Sequence, residues 1–285
     1  MKKKNIYVVS TPIGNLFDIS GRAIYILKTV DLIVVENISH SYKLFLLFNI
    51  KTKLFILNNF LELKNSIILI NKFKNNNITS IAIISSSGTP LICDPGYFLL
   101  KEAKKLNIRI VSIPGPSAVI SSLSISGLSA NKFIFEGFLP CDINNKINII
   151  KNFILEYRTI ILYESSHRIL NTLLCLLKIL GNRVISIVRE ITKLYETVIF
   201  GNITYVLNFI ENVINQGKGE FVILISSNHN KKNFFINYEI KCFIYVLLEF
   251  LSIKKIVFLV SKITKLKKQF LYNYILLCKL IKNYS

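Results

Sequence analysis

The chain has 285 residues, 52% of them hydrophobic, which excludes a disordered tail and allows two folded domains with a small appendage. Its 36 basic and 16 acidic residues give a formal net charge of +20; with 30 Lys and six Arg, that charge reads equally as an RNA-binding face or as a lysine-heavy solvated surface. No uncharged apolar run of about 18 residues occurs, since Glu249, Lys254 and Lys255 interrupt the best stretch, 242–260, and MKKKNIYVV lacks the long apolar core of a secretory signal, so a cytoplasmic protein without a membrane span is expected.

The first half alternates short apolar runs with helical periodicity. Strands are expected at 6–10, 31–36, 54–57, 81–84 and 108–113, and helices at 19–29, 41–48, 61–74 and 97–106. Strands apolar throughout and separated by helices argue for a parallel sheet covered on both faces. After Pro116 a helix runs to about residue 126. Strands of a second sheet follow at 133–138, 159–164, 184–189 and 220–226, with helices at 145–156, 169–180 and 203–214. A polar stretch after Ser227 links to a basic helical tail from Ile240.

All six prolines lie before residue 141, beside strand ends or turns. STPIGNL (10–16) follows the first strand; Pro12 fixes φ, Gly14 permits a sharp turn, and Asp18 or Ser20 caps the next helix. SSSGTPLICDPG (85–96) follows the 81–84 strand; Gly88 allows close backbone approach, Thr89 offers a hydroxyl and Asp94 a carboxylate. SIPGPSA (112–118) ends the last strand of the half and opens a helix, with Pro116 as the expected junction between domains. Alone, the first reads as an ordinary tight turn, while the length of the second and its position at a strand end favour a site. Three on one sheet edge imply a cleft for a small organic ligand. No GxGxxG follows a strand, and no P-loop or GxSxG motif occurs. Five scattered cysteines without a CxxC pair and three dispersed histidines suggest neither a disulfide framework nor a metal site.

The second half adds FEGFLP (135–140), YESSHR (163–168), REITKLYE (189–196) and KGEF (218–221), each a charged or turn-rich strand end. Any one alone reads as a salt-bridged turn; together they bring charge to the side of a cleft.

These motifs, in this order and spacing, resemble the ribosomal RNA small subunit methyltransferase I family of the tetrapyrrole-methylase superfamily over residues 5–226, and more weakly through the tail. The resemblance implies an α/β fold with a parallel-sheet N-terminal domain (1–116), a mixed-sheet second domain (117–228) and a small helical basic domain (238–285). It implies a homodimer that uses S-adenosylmethionine to methylate the ribose 2′-hydroxyl of a cytidine in the decoding region of 16S ribosomal RNA within the small ribosomal subunit. Carried over by position, the cofactor cleft is lined by Pro12, Gly14, Gly88, Thr89, Pro90, Asp94, Pro114, Gly115, Pro116 and Ser117, with Leu139 and Pro140 from the second domain.

Three stretches depart from the family pattern: Asn37, Ile38 and Ser39 replace Asp-Thr-Arg, Ser86 and Ser87 replace Asp-Ala, and Ser166 replaces a proline. A ribose hydroxyl is a weak acid, so a base or a stabilising cation is expected near it. The candidates are Glu36, Glu190 and Lys193; His167, Arg168, Arg189, Lys265, Lys267 and Lys268 are candidates for holding RNA. Two alternatives stand: a small-molecule methyltransferase of the same fold, and a catalytically impaired assembly factor that binds ribosomes.

Overall fold

The computed structural model describes residues 4–57, 62–75, 78–213, 217–227, 236, 238–264 and 266–283. Lys265, Leu61, Ile214 and the 228–233 stretch of the expected linker lie outside the described residues.

The first sheet is fully parallel, in the order β3-β2-β4-β1-β5. Its strands are β1 (Asn5–Val9), β2 (Leu32–Val35), β3 (Leu54–Ile56), β4 (Ser80–Ile83) and β5 (Arg109–Ile113). Helices α1 (Gly21–Thr29), α2 (Ile38–Leu47), α3 (Glu62–Lys74) and α4 (Tyr97–Lys105) connect them. Two buried clusters lie against the sheet. One joins Val9, Ile33 and Ala82 to Leu27 of α1 and Leu44 of α2; the other joins Ile6, Val34 and Ile81 to Phe73 of α3 and Leu99 of α4. Both faces of the central strands are therefore apolar, which is why their sequences are unbroken hydrophobic runs. Ser20 caps α1, its side chain accepting from the Ala23 amide.

Helix α5 (Ala118–Ile125) leads to the second sheet, ordered β6-β7-β10-β8-β9. It comprises β6 (Phe133–Phe138), β7 (Thr159–Ser165), β8 (Val184–Arg189), β9 (Thr197–Asn202) and β10 (Glu220–Ile225). Only β6 and β7 pair in parallel; the other neighbours are antiparallel. Helices α6 (Ile143–Asn152), α7 (Ile169–Leu180) and α8 (Ile203–Asn212) cover one face. Val119 and Leu123 of α5, with Ile13 from the β1 loop, pack on the other through Ile161, Val188 and Leu224. Sequence periodicity misses β9: it is an edge strand with Ile199 buried but Val198 and Phe200 exposed, so it shows no polar alternation.

The tail forms α9 (Tyr238–Phe250), α10 (Ile253–Thr264) and α11 (Lys268–Asn283) around Ile244, Ile256, Leu271 and Ile275. Leu155, ahead of β7, packs against this cluster. No helix among the described residues is long and apolar enough to cross a membrane.

Candidate active site

Because every strand of the first sheet runs the same way, the loops after β1, β4 and β5 emerge at one edge. They are tied together there. Thr11 and Gly88 exchange backbone hydrogen bonds of 2.8 and 3.2 Å. The Ser10 and Thr89 hydroxyls are 3.0 Å apart, and the Thr89 hydroxyl donates to the Pro116 carbonyl at 3.1 Å. Ser85 donates to the Gly88 carbonyl at 3.0 Å. Gly88 has φ +81°, and a Cβ there would stand 3.2 Å from the Ile13 side chain, so both conformation and space favour glycine.

These loops form one wall of a cavity of about 380 Å³ between the two sheets. Gly88, Thr89, Asp94 and Ser117, all expected there, line it, with Ser87 and Cys93. The opposite wall comes from the second sheet: Phe138, Tyr163, Ser165, Ile191, Phe221 and Val222. Phe135 and Phe138 close on Tyr163 with ring centroids 4.9 and 5.5 Å away. Pro12 and Pro90 are buried behind the loops, while Pro114 and Gly115 are exposed; none of the four lines the cavity.

Leu139 does not line the cavity either; it is 1% exposed in the core beneath the helices. The reason is a β-bulge in β6. Phe135 pairs with Ile161 and Gly137 with Leu162, so Glu136 is the extra residue. Simple alternation from Phe135 would turn Leu139 toward the cavity; the bulge reverses the phase and presents Phe138. The sequence signal for this, Gly137 within an aromatic strand, is easily read as a plain turn.

A carboxylate cluster occupies the first wall. Ser86 donates to Glu36 at 2.8 Å. Burial pushes Asp94 up to about 6, helped by the nearby charge of Glu36 and opposed by the Ser85 hydroxyl. The departures from the family pattern are thus built in: the Ser86 hydroxyl satisfies Glu36, and Asn37 caps α2, accepting from the amide and hydroxyl of Ser39 at 3.0 and 2.8 Å.

Glu190 and Lys193 stand across the cleft in a three-membered cluster. Lys193 Nζ lies 3.0 Å from Glu190 Oε1 and 2.9 Å from Glu220 Oε2. Burial raises the Glu190 carboxyl, but the Glu220 amide and Lys193 outweigh it and hold it below the ordinary range. Burial lowers Lys193, but Glu220 and Glu190 hold its ammonium above its ordinary range. This loop touches the β1 loop directly: Asn15 N–H donates to Thr192 Oγ1 at 3.1 Å. A Cβ on Gly14 would stand 2.6 Å from both Lys193 Cγ and Thr192 Oγ1.

The remaining candidates separate. Arg168 is drawn inward: its guanidinium donates to the Leu139 and Pro140 carbonyls and pairs with Glu164 at 3.3 Å. Glu164 is buried and also accepts from Thr172 at 2.6 Å; Thr172 in turn accepts from the buried Lys146 at 3.2 Å. Arg189 is buried and donates to the Lys218 and Tyr195 carbonyls. His167 is exposed, its Nε2 3.3 Å from Ser165 Oγ. Lys267 and Lys268 are exposed on the tail, Lys268 lying 5.7 Å from the Phe258 ring; neither lines the cavity. Sequence reasoning missed Phe138, Tyr163, Phe221 and Val222, whose apolar side chains are indistinguishable in sequence from core.

A parallel sheet and a mixed sheet with a cavity between them are the architecture of the tetrapyrrole-methylase fold. The family described as tetrapyrrole (corrin/porphyrin) methylases matches residues 5–206. The chain resembles a crystal structure of diphthine synthase with a TM-score of 0.60 at 14% identity, covering 79% of this chain and 90% of that one. It resembles the methyltransferase CobJ with a TM-score of 0.58 at 13% identity, covering 81% and 97%. Ribosomal RNA small subunit methyltransferase I of Buchnera aphidicola subsp. Baizongia pistaciae is 44% identical over 96% of both chains. The Escherichia coli O157:H7 protein of that name is 36% identical over 95% of this chain and 94% of its own. The chain belongs to the ribosomal RNA small subunit methyltransferase I family, a family of methyltransferases.

Proposed function

We propose that the protein transfers a methyl group from S-adenosylmethionine to the ribose 2′-hydroxyl of a cytidine in the decoding region of 16S ribosomal RNA, acting as a cytoplasmic homodimer. The observation that carries this reading is the cavity between the sheets, where three stitched loops meet an aromatic wall in a chain of this methyltransferase family. We read residues 1–116 and 117–228 as the two units that enclose it, and 238–285 as an appended unit.

The residues present fit an organic cation with polar and flat parts. The volume falls in the roughly 300–1,000 Å³ range of small-ligand sites. Thr89 and Ser117 offer hydroxyls, Asp94 with Glu36 behind it offers negative charge, and Tyr163, Phe221 and Val222 offer an apolar face. When bound, S-adenosylmethionine supplies a methyl group activated on a sulfonium.

The chain's own part is positioning and proton handling. Holding the two reactants in line is worth about 7–11 kcal/mol in favourable cases. Asp94 faces the cavity with a carboxyl that burial, and to a lesser degree Glu36 behind it, pushes up to about 6, a basicity suited to taking the hydroxyl proton at neutral pH. Glu190 and Lys193, spent on each other and on Glu220, hold the β1 loop against the second sheet; they orient the cleft and move no proton. His167, beside the cavity-lining Ser165, and the tail lysines Lys267 and Lys268 are assigned to RNA.

Titration calorimetry tests the cofactor half. S-adenosylmethionine binds the wild type, and Asp94→Asn weakens it about tenfold or more. Absence of binding to folded wild-type protein overturns the reading in favour of an assembly factor.

A further inference from the structure

A second concave surface lies at the amino-terminal edge of the first sheet, opposite the edge that carries the cavity. It is a groove of about 770 Å³. At about 3.3 Å per residue, the five residues of β1 separate the two edges by roughly 15 Å.

Four lysines from three segments converge on it: Lys28 at the end of α1, Lys51 and Lys53 ahead of β3, and Lys72 of α3. The segment bearing Lys51 and Lys53 is anchored. Thr52 Oγ1 donates to the Leu27 carbonyl at 2.6 Å, Ile33 N–H to the Lys53 carbonyl at 2.8 Å, and Ile50 N–H to the Phe45 carbonyl at 2.9 Å. The lysines are therefore presented from fixed backbone.

The one carboxylate lining the groove, Asp31, stays charged but pairs with none of them: its Oδ2 accepts from the amides and hydroxyls of Thr79 and Ser80, at 2.8–3.0 Å. Among the described residues none of the four lysines has a carboxylate within 4.0 Å; Lys72 instead lies 5.2 Å from the Phe55 ring. Lys28 and Lys72 also complement the carboxyl ends of their own helices, but that accounts for neither Lys51 nor Lys53. With four lysines and one aspartate the lining carries a formal charge of +3, and among the described residues none of the four lysines is ion-paired; they repel one another, and a ligand carrying a row of negative charges offsets that repulsion. A groove this open, and polar along its rim, suits a sugar-phosphate backbone rather than an enclosed small anion.

We propose that this groove is a second RNA-docking surface, gripping the phosphate backbone of the ribosomal RNA at a distance from the reacting ribose. The proposal rests on the RNA-methylation reading above. Contacts of this kind carry no sequence information; they supply affinity and fix orientation, and they weaken with salt.

The test measures binding of the full-length protein to purified small ribosomal subunits across a salt series, for three proteins. One is the wild type, one carries Lys28→Gln, Lys51→Gln, Lys53→Gln and Lys72→Gln, and one carries Lys101→Gln, Lys104→Gln and Lys178→Gln on other exposed helix surfaces. The groove variant is expected to bind roughly tenfold or more weakly, with a log–log salt slope shallower by about one for each lysine that meets a phosphate. Its calorimetric affinity for S-adenosylmethionine and its Tm are expected to be unchanged, and the control variant is expected to bind subunits like the wild type. Wild-type affinity in the groove variant overturns the docking proposal and leaves the methylation reading intact, as does an equal loss in the control. Failure of the wild type to bind subunits overturns both.

Discussion

Asp94 sets the pH behaviour of the cavity. Its carboxyl is raised from an ordinary 3.8 to about 6, so the folded state holds that proton more tightly than the unfolded chain. Its contribution to stability is therefore greatest in acid and is lost as pH rises through about 6. Asp94→Asn removes this dependence: the Tm of the wild type minus that of the variant is expected to fall between pH 4 and pH 7, and a constant difference would contradict it. Ser86→Asp places a third carboxylate beside Glu36 and is expected to move the midpoint of cofactor binding against pH upward, read by calorimetry across pH 5–8. At Gly14 the constraint is steric. Gly14→Ala drives a methyl into Lys193 and Thr192 and is expected to cost about 1–3 kcal/mol in urea denaturation, with weaker cofactor binding as the two loops part. Glycine and proline made these loops legible in sequence. The partners of Gly14 were not, because Lys193 lies 179 positions away and meets it only through the packing of the second sheet on the first.

At the scale of elements, the second wall depends on how β6, β7 and α7 are joined. Arg168 ties the end of β6, through the Leu139 and Pro140 carbonyls, to the buried Glu164 at the end of β7. Arg168→Ala removes the ion-pair partner of the buried Glu164, leaving it only the hydrogen bonds from Thr172 and the Ser165 amide, and is expected to destabilise by roughly 3 kcal/mol in chemical denaturation. A loss below about 1 kcal/mol would show that the pair is not a structural tie. The elements themselves were largely readable, since continuous apolar runs locate nine of the ten strands among the described residues and 3.6-residue periodicity locates the helices between them. The two failures share a cause. β9 exposes apolar residues at the sheet edge, and β6 inserts a bulged residue; both break the period-2 rule that ties sequence to facing.

For the whole molecule, the three surfaces proposed to meet RNA lie apart. The cavity opens between the sheets, the lysine groove sits at the far edge of the first, and the tail packs beside Leu155 at the start of β7 while the cavity lies at its end. An enzyme acting on a substrate as large as a ribosomal subunit can use such dispersed contacts; one acting on a small molecule gains nothing from them. Net charge alone left this open, because 30 lysines say nothing of where they gather. Ribose methylation is tested by incubating the protein with methyl-labelled S-adenosylmethionine and small subunits lacking the modification, then digesting the RNA to nucleosides. Label is expected in 2′-O-methylcytidine, near one per subunit, and is lost in Asp94→Asn. Label on a base, or none in RNA from folded protein that binds the cofactor, would contradict ribose methylation.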